Sequence, residues 1–518
     1  MNLRRLTIAL ASAATLLVPA TASAEWNDSI RYHGEVAAAF GGGDHNPFWL
    51  SANKYGLASV NKNNAMLRLG AFHDLDKNKR FSWGAGVDLA VAANYSRVFI
   101  PQQVYAEVKY RCLNAMIGKK EIPDEVVNSD LSSGALTYSG NAEPIPQIRI
   151  GIFDYADFWG CNGWFAVKGH IAYGAYADNC WLKDWVNVNA GAPGQYGNYA
   201  YTLNNKYCSR AIYFRGGNDN KFPLSGELGL EMATQFGGTS YYLADVTNPE
   251  TGQTEQVLKS HKHPEYLKAW LKALIPMSGG ADTSWGEQNN VEGNYLGNWS
   301  FSLKWNDPRG WMVRIYYQHF FEDHSMLFFD YPWKDGLYGV EARLPKNPFV
   351  SEIVGELLYT RDQSGPVYWD HTPSLDVQIS ERDNYYNHYI YNGWQNFGMG
   401  MGNPLLISPI YNANHAMYFY STRLVAYHLG FKGNPTPQIG YRVKATYLDS
   451  WGTYAHPYRE IKKNFSLLAE VKWHPARLKG WEGTLSFGMD GGSLIGHSYG
   501  AAISISKTGW LFAPKKKK

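Results

Sequence analysis

Residues 104 to 112, VYAEVKYRC, alternate without a break. Val104, Ala106, Val108, Tyr110 and Cys112 fall on one side, and Tyr105, Glu107, Lys109 and Arg111 on the other. Successive side chains of a β-strand face opposite ways, so this strand has one oily face and one charged face. The period recurs down the chain. Leu228, Leu230 and Met232 alternate with Glu227, Gly229 and Glu231, and Phe301, Leu303 and Trp305 with Ser300, Ser302 and Lys304. Tyr338, Val340 and Ala342 alternate with Gly339, Glu341 and Arg343, and Tyr441, Val443, Ala445 and Tyr447 with Arg442, Lys444 and Thr446. Leu467, Ala469, Val471 and Trp473 alternate with Leu468, Glu470 and Lys472, and Tyr499, Ala501, Ile503 and Ile505 with Ser504, Ser506 and Thr508. The period predicts roughly 17 strands between Ser29 and Phe512. Many run about 9 to 14 residues, near the length a tilted strand needs to cross a bilayer.

Short turn signals separate many of these strands: NDPRG at 306–310, KGNPTP at 432–437 and HPARLKG at 474–480. Other gaps, such as 184–205 and 363–398, are long and rich in Gly, Asn and Tyr. Alternating short turns and long loops is the build of an outer-membrane barrel with its long loops outside the cell. One stretch has a different period. HPEYLKAWLKALIP, within an insertion at 240–296, sets Leu267, Trp270, Leu271 and Leu274 on one helical face, with Pro264 at its start and Pro276 at its end. This short helix is expected to plug a barrel, to lie on a membrane surface or to pack on a loop.

The oily face needs a cover. A soluble sandwich also alternates, but so many long strands exceed one ordinary sandwich, and the 40–50-residue repeat of a propeller is missing. Composition favours lipid. Charged residues make up only 18% of the chain and aromatics 15%, with 52 glycines. Aromatics cluster near predicted strand ends at Tyr110, Trp305, Trp311, Trp473, Trp481 and Trp510, as expected for girdles at two bilayer interfaces. The opposite face carries both signs of charge, expected to pair across strands or sit in water. The fold class expected is all-β: a transmembrane antiparallel β-barrel with long extracellular loops and a short helical plug or loop insertion. The net charge of +3 argues against a nucleic-acid partner.

The chain opens as a secretory signal. Arg4 and Arg5 precede the apolar stretch Leu6 to Ala20, and Ala22-Ser23-Ala24 fits small-residue cleavage, so residues 1–24 read as a signal peptide and 25–512 as the barrel. Residues 513–518 form a basic tail ending in four lysines, to which no function is attached. An exported chain meets an oxidising compartment. Cys161 and Cys180, which flank an apparent hairpin, are therefore the first candidate pair among Cys112, Cys161, Cys180 and Cys208, though other pairings stay open.

Candidate chemistry is thin. Gly496-His497-Ser498-Tyr499-Gly500 matches G-x-S-x-G, but a strand follows where a hydrolase needs a helix, so Ser498 reads as a turn residue. His261 and His263 read as exposed loop histidines without a completing metal ligand. Asp154 and Asp157 read as turn caps rather than calcium ligands. No cofactor, metal site or catalytic set is expected. The loops say more. Residues 367–397 hold Trp369, Asp370, Tyr385, Tyr386, Tyr389, Tyr391 and Trp394 amid Asp, Asn and Gln. Flat rings stack on the CH faces of sugars while carboxylates and amides bond hydroxyls, and such surfaces also bind adaptably elsewhere. These seven are the candidate polysaccharide-binding residues.

NPFWLSANKYG (46–56) and SSGALTYSGNAEPIPQIRIG (132–151) resemble the Wzi family of outer-membrane capsule assembly proteins, and the likeness extends over the whole mature chain. The resemblance implies an 18-stranded barrel closed by short helices and inward loops, the eighteenth strand coming if 414–432 is a hairpin. It implies a non-enzymatic surface lectin, present as a monomer in the outer membrane of a Gram-negative bacterium and helping to attach capsular polysaccharide. The alternative from another class is a porin-like channel for small solutes, and a third reading is an outer-membrane hydrolase.

Overall fold

In the computed structural model, residues 29–513 are described except 125, 159, 188–198, 220, 248–251, 278–291, 323–326, 328–333 and 364–382. The signal segment, the tail from 514, Trp369 and Asp370 lie outside the described residues. In chain order the strands are β1 (Ile30–Gly43), β2 (Asn64–His73), β3 (Phe81–Ala93), β4 (Phe99–Tyr110), β5 (Leu113–Lys119), β6 (Gln147–Asp157), β7 (Phe165–Ala175) and β8 (Tyr199–Leu203). Next come β9 (Lys206–Gly216), β10 (Leu224–Phe236), β11 (Thr239–Thr247), β12 (Thr254–Lys262), β13 (Asn294–Asn306), β14 (Met312–Phe321), β15 (Gly336–Arg343) and β16 (Glu352–Tyr359). The last are β17 (Gln395–Asn396), β18 (Met399–Gly400), β19 (Arg423–Thr436), β20 (Ile439–Gly452), β21 (Pro457–Trp473), β22 (Trp481–Gly492) and β23 (Ser498–Phe512).

Eighteen of these strands form one antiparallel sheet, each paired with its neighbour in the chain. The sheet closes on itself because β1 pairs with β23 from Ile30↔Phe512 to Gly43↔Ser498. Closure leaves no edge, which is what a strand wall in hydrocarbon requires. The count is even, as single-chain bacterial barrels have it. The eighteenth strand does not come from a hairpin at 414–432: residues 413–422 run as loop, and β19 is one strand from Arg423 through the expected KGNPTP turn to Thr436.

The alternation answers the question of the cover. Val104, Val108 and Tyr110 are exposed while Tyr105 between them is buried. The same outward face continues at Val36, Leu69, Val91, Ile148, Ile171, Ile212, Leu303, Val340, Leu485 and Ile503, all exposed, around the whole wall. Such a continuous apolar belt is far larger than soluble monomers leave open, and lipid is its natural cover.

Connections alternate in length. The start of β1, the end of β23 and the short turns, such as 74–80, 111–112, 307–311, 437–438 and 474–480, share one end of the barrel. The other end carries 44–63, 120–146, 176–205, 237–293 and 360–422. The aromatic residues named above all fall at the short-turn rim, not at both rims. Tyr110, Trp305, Trp311, Trp473 and Trp481 face outward there, whereas Trp510 lies opposite Arg31, a lumen residue, and so faces the mouth. At the other rim, exposed Phe40, Phe99 and Tyr499 take the girdle positions.

The lumen is filled from the long-loop end. Segments 44–63, 120–146 and 383–422 fold inward and share one apolar core with the wall, built from Phe48, Trp49, Leu136, Tyr386, Trp394, Phe419 and Leu424 among others. Inward wall side chains hold this plug by its backbone. Ser132 donates its hydroxyl to Glu356 at 2.5 Å and the Ser133 N–H donates to the same carboxylate at 2.7 Å. Lys444 donates to the Ser132 carbonyl at 3.0 Å, Arg442 to that of Asp130 at 3.0 Å, and the Leu136 N–H to Gln318 at 3.0 Å. Gly430 on β19 has no room for a Cβ, because the Leu131 carbonyl lies against it. Expected cross-strand pairs also form: Arg442 with Glu470 at 2.8 Å, Arg314 with Glu341 at 2.5 Å, and Arg343 with Glu352 at 3.4 Å.

The expected disulfide does not form. Cys161 and Cys180 flank a single strand, β7, and therefore sit at opposite ends of the barrel, with all four cysteines free. Denatured, unreduced protein is expected to titrate four thiols, and fewer would contradict these positions. Ile503→Arg, in the middle of the outward belt, is expected to lower the unfolding free energy in lipid vesicles by about 2–4 kcal/mol, and Leu511→Arg at the rim by about 1 kcal/mol or less. Equal effects at the two depths would contradict a belt graded by hydrocarbon.

Candidate functional site

Most of the aromatic residues singled out in 367–397 are inside the plug. Tyr385, Tyr386 and Trp394 are fully buried and Tyr391 nearly so. Tyr385 packs edge-on to Phe320 at 4.7 Å and donates its hydroxyl to Asp335 at 2.8 Å, while burial pushes the Asp335 carboxyl up to about 6. Tyr386 lies between Phe320 and Phe419 and donates to the Leu136 carbonyl. Trp394 stacks on Tyr207 and donates its indole N–H to Thr137 at 2.6 Å. Stacking on a sugar needs a free ring face, and these rings spend theirs on protein. Among the described candidates only Tyr389, half-buried beside His388 at 4.5 Å, keeps access to solvent.

A different aromatic cleft opens at the long-loop end. The helix Asn179–Asn187 places Trp181 and Trp185 one turn apart, so both rings share a face. They stack at 5.3 Å, and Trp185 continues onto His415 at 4.0 Å. Trp181 meets Phe397 edge-on at 6.2 Å, and the Arg97 guanidinium lies 3.7 Å above the Phe397 ring. Arg97 and Lys119 both pair with Glu143, and Asn396 donates to the Glu143 carbonyl at 2.9 Å. Both tryptophans, Phe397, Glu143, Asn396 and Asn61 line the cleft, whose enclosed volume is about 80 Å³. It is small and more enclosed than open: Glu143, Asn396 and Phe397 are buried, while Trp181, Trp185 and Arg97 are partly exposed and Asn61 is exposed. Its rim can offer ring edges, a guanidinium and an amide to one face of a sugar chain. The signal in the sequence is W-x-x-x-W in NCWLKDW, one helical turn at the edge of a Gly-, Asn- and Tyr-rich stretch that otherwise reads as loop.

A larger cavity of about 730 Å³ occupies the lumen toward the short-turn end. Its floor is Arg31, Asp74, Lys77 and Asp154, and its ceiling is Tyr55, Glu121, Asp124 and Tyr138 from the plug. The charges are mostly paired. Arg68 bridges Asp88 at 2.5 Å and Glu121 at 2.9 Å, Lys120 meets Glu107 at 2.6 Å, and Arg31 meets Asp74 at 2.9 Å. Burial pushes the Asp124 carboxyl up to about 6 and the Tyr138 hydroxyl up to about 12. Arg149 donates to His170 Nδ1 at 3.0 Å, which leaves the ring Nε2–H to Ser209 at 3.1 Å. Paired charges of this kind suit polar, uncharged ligands or water better than a free ion.

The remaining motifs resolve as structure. Ser498 opens β23, and its hydroxyl accepts the His45 N–H at 3.2 Å. Asp154 and Asp157 belong to β6 rather than to a turn, and Asp154 pairs with Lys77 at 2.5 Å. His261 is exposed on β12, but His263 is buried, contrary to expectation, because the loop sheet formed by β8, β11 and β12 covers it. Its Nε2 lies 2.6 Å from the Ser240 hydroxyl, and burial pushes the imidazole down to about 4. Ser240 is fully buried, so its hydroxyl is shielded from solvent. Among the described residues no cluster of His, Cys, Asp and Glu could hold a metal ion.

No family model and no curated protein matches the sequence. Solved structures do. One titled as Wzi, an outer-membrane protein involved in group 1 capsule assembly in Escherichia coli and a carbohydrate-binding β-barrel, aligns at a TM-score of 0.53 with 13% identity, over 99% of this chain and 88% of that one. OccAB2 of Acinetobacter baumannii aligns at 0.46 with 8% identity, over 93% and 98%. At such identities the likeness speaks for the fold: the chain is an outer-membrane β-barrel of eighteen antiparallel strands.

Proposed function

We propose that this protein binds a capsular or other extracellular polysaccharide at the cell surface and helps to hold it there. The observation that carries the reading is the pairing of a lumen packed with its own loops and a ring-lined cleft on the long-loop end. In this reading the long loops face the exterior, as the short-turn end suits the periplasm. The exposed parts of Trp181 and Trp185, which already stack on each other and on His415, meet sugar CH groups, while partly exposed Arg97 bonds hydroxyls and buried Glu143 and Asn396 hold that corner in place. The cleft's role is binding, not catalysis. Tyr389, Trp369 and Asp370 stay among the residues proposed to contact the polysaccharide.

A porin-like channel is the competing reading, and the plug counts against it: the wall carboxylate Glu356 and the cations Lys444 and Arg442 are engaged with plug backbone instead of facing a water column.

Trp181→Ala combined with Trp185→Ala is expected to weaken binding of the host's purified polysaccharide about 5- to 30-fold, from about 1–2 kcal/mol of lost ring contact. Titration calorimetry on the detergent-solubilised barrel reads this directly. Unchanged affinity in a folded double variant would overturn the assignment of the cleft, and no binding by the unaltered protein would overturn the function.

A further inference from the structure

The helix Leu267–Leu274 neither plugs the barrel nor rests on a loop. It lies on the outside of the wall. Its partners Tyr173, Cys208 and Arg210 sit two or four residues from the exposed Ile171 and Ile212 on the same strands, so alternation puts them on the outward face. Tyr173 donates to the Trp270 carbonyl at 2.8 Å, and Arg210 and Thr234 donate to that of Ala273 at 2.9 and 3.1 Å. Trp270 packs between Tyr173 and Phe236, with ring distances of 5.0 and 5.1 Å. The N-terminal end is tied to the strand tops, where Glu265 accepts the Gly238 N–H at 3.0 Å and pairs with Lys206 at 3.3 Å. From Lys206 to Arg210 the wall drops about 13 Å, which matches the roughly 12 Å length of an eight-residue helix. The helix therefore runs down the wall from the rim.

Its sidedness is inverted for a helix in water. Ala269 and Ala273 are buried against the wall, and the Lys272 ammonium is turned in to pair with Glu292. The stripe that faces away is Leu267 at 78% exposure, Leu271 at 55% and Ile275 at 55%, flanked by exposed Tyr266 and Met277. The wall beneath carries Arg210 and Thr234 on its outward face, groups that are costly against hydrocarbon. The helix gives both a carbonyl partner and presents leucines in their place, continuous with the belt at Ile171, Ile212 and Leu228.

We infer that this helix is an interfacial membrane element: Leu267, Leu271 and Ile275 insert among the acyl chains of the leaflet on the long-loop side and seal the polar patch at Arg210. The proposal is independent of the polysaccharide reading.

The test uses the full barrel in phosphatidylcholine vesicles. A nitroxide is placed at Leu271→Cys, and separately at Ile275→Cys, in a background with Cys112→Ser, Cys161→Ser, Cys180→Ser and Cys208→Ala. Folding of each variant is checked by its β-sheet circular dichroism. Power saturation then compares access by oxygen, which partitions into acyl chains, with access by a water-soluble nickel chelate. Leu228→Cys serves as the lipid reference and Glu255→Cys as the water reference. Expected is an oxygen-to-nickel ratio severalfold above that of Glu255→Cys and approaching that of Leu228→Cys at both sites. Ratios equal to that of Glu255→Cys would overturn the proposal.

Discussion

In hydrocarbon a backbone N–H or C=O has no water to turn to. Every such group in a membrane wall must find its partner within the wall, and each one left over costs several kcal/mol. The pairing of β1 with β23 meets this constraint by removing the edge. Once the sheet is closed, each wall residue has only two destinations, outward to lipid or inward to the lumen. Outward positions become apolar. Inward positions become polar and must then be satisfied by each other, by water or by another segment of the chain.

Here that other segment is the chain's own loops. The wall charges do not simply cancel across strands. Glu356 binds the hydroxyl and backbone of Ser132 and Ser133, His428 meets the Leu131 carbonyl at 2.7 Å, and Trp49 donates to Thr446 at 3.1 Å. A polar lumen is thus what allows a polar loop to be buried, and the loop brings its own aromatic core to the interior. The same packing sets a firm base for the surface above it: Glu143, which organises Arg97 and Lys119 beside the tryptophan cleft, belongs to the plug segment that also carries Leu136 and Thr137.

The wall was legible in the sequence because lipid on one side and polar groups on the other impose a period of two over long runs, and a one-residue slip would invert every position. Most short turns and the long loops were legible for the same reason, as breaks in that period, but KGNPTP was not a turn: β19 runs through it to Thr436. What a loop does was not. Tyr385 and Tyr389 are four residues apart in one aromatic stretch, yet the first fills the plug and the second keeps access to water. Nothing local distinguishes them, since the choice is made by Phe320 and Asp335 from distant elements. The helix at 267–274 was correctly placed in sequence but not in sidedness, because its usual rule assumes water outside and core inside. Trp510 misled similarly: it looks like a girdle residue until its register with Arg31 puts it at the mouth. The Cys161–Cys180 pairing failed because a strand was read as a hairpin.

The claim that joins fold to function is that the lumen is closed by these loops. Single-channel recording in a planar phospholipid bilayer tests it most directly. A barrel plugged by 44–63, 120–146 and 383–422 inserts without a steady ionic current at moderate voltage. A persistent ohmic current from the folded, unaltered protein would contradict the packed lumen and favour a pore.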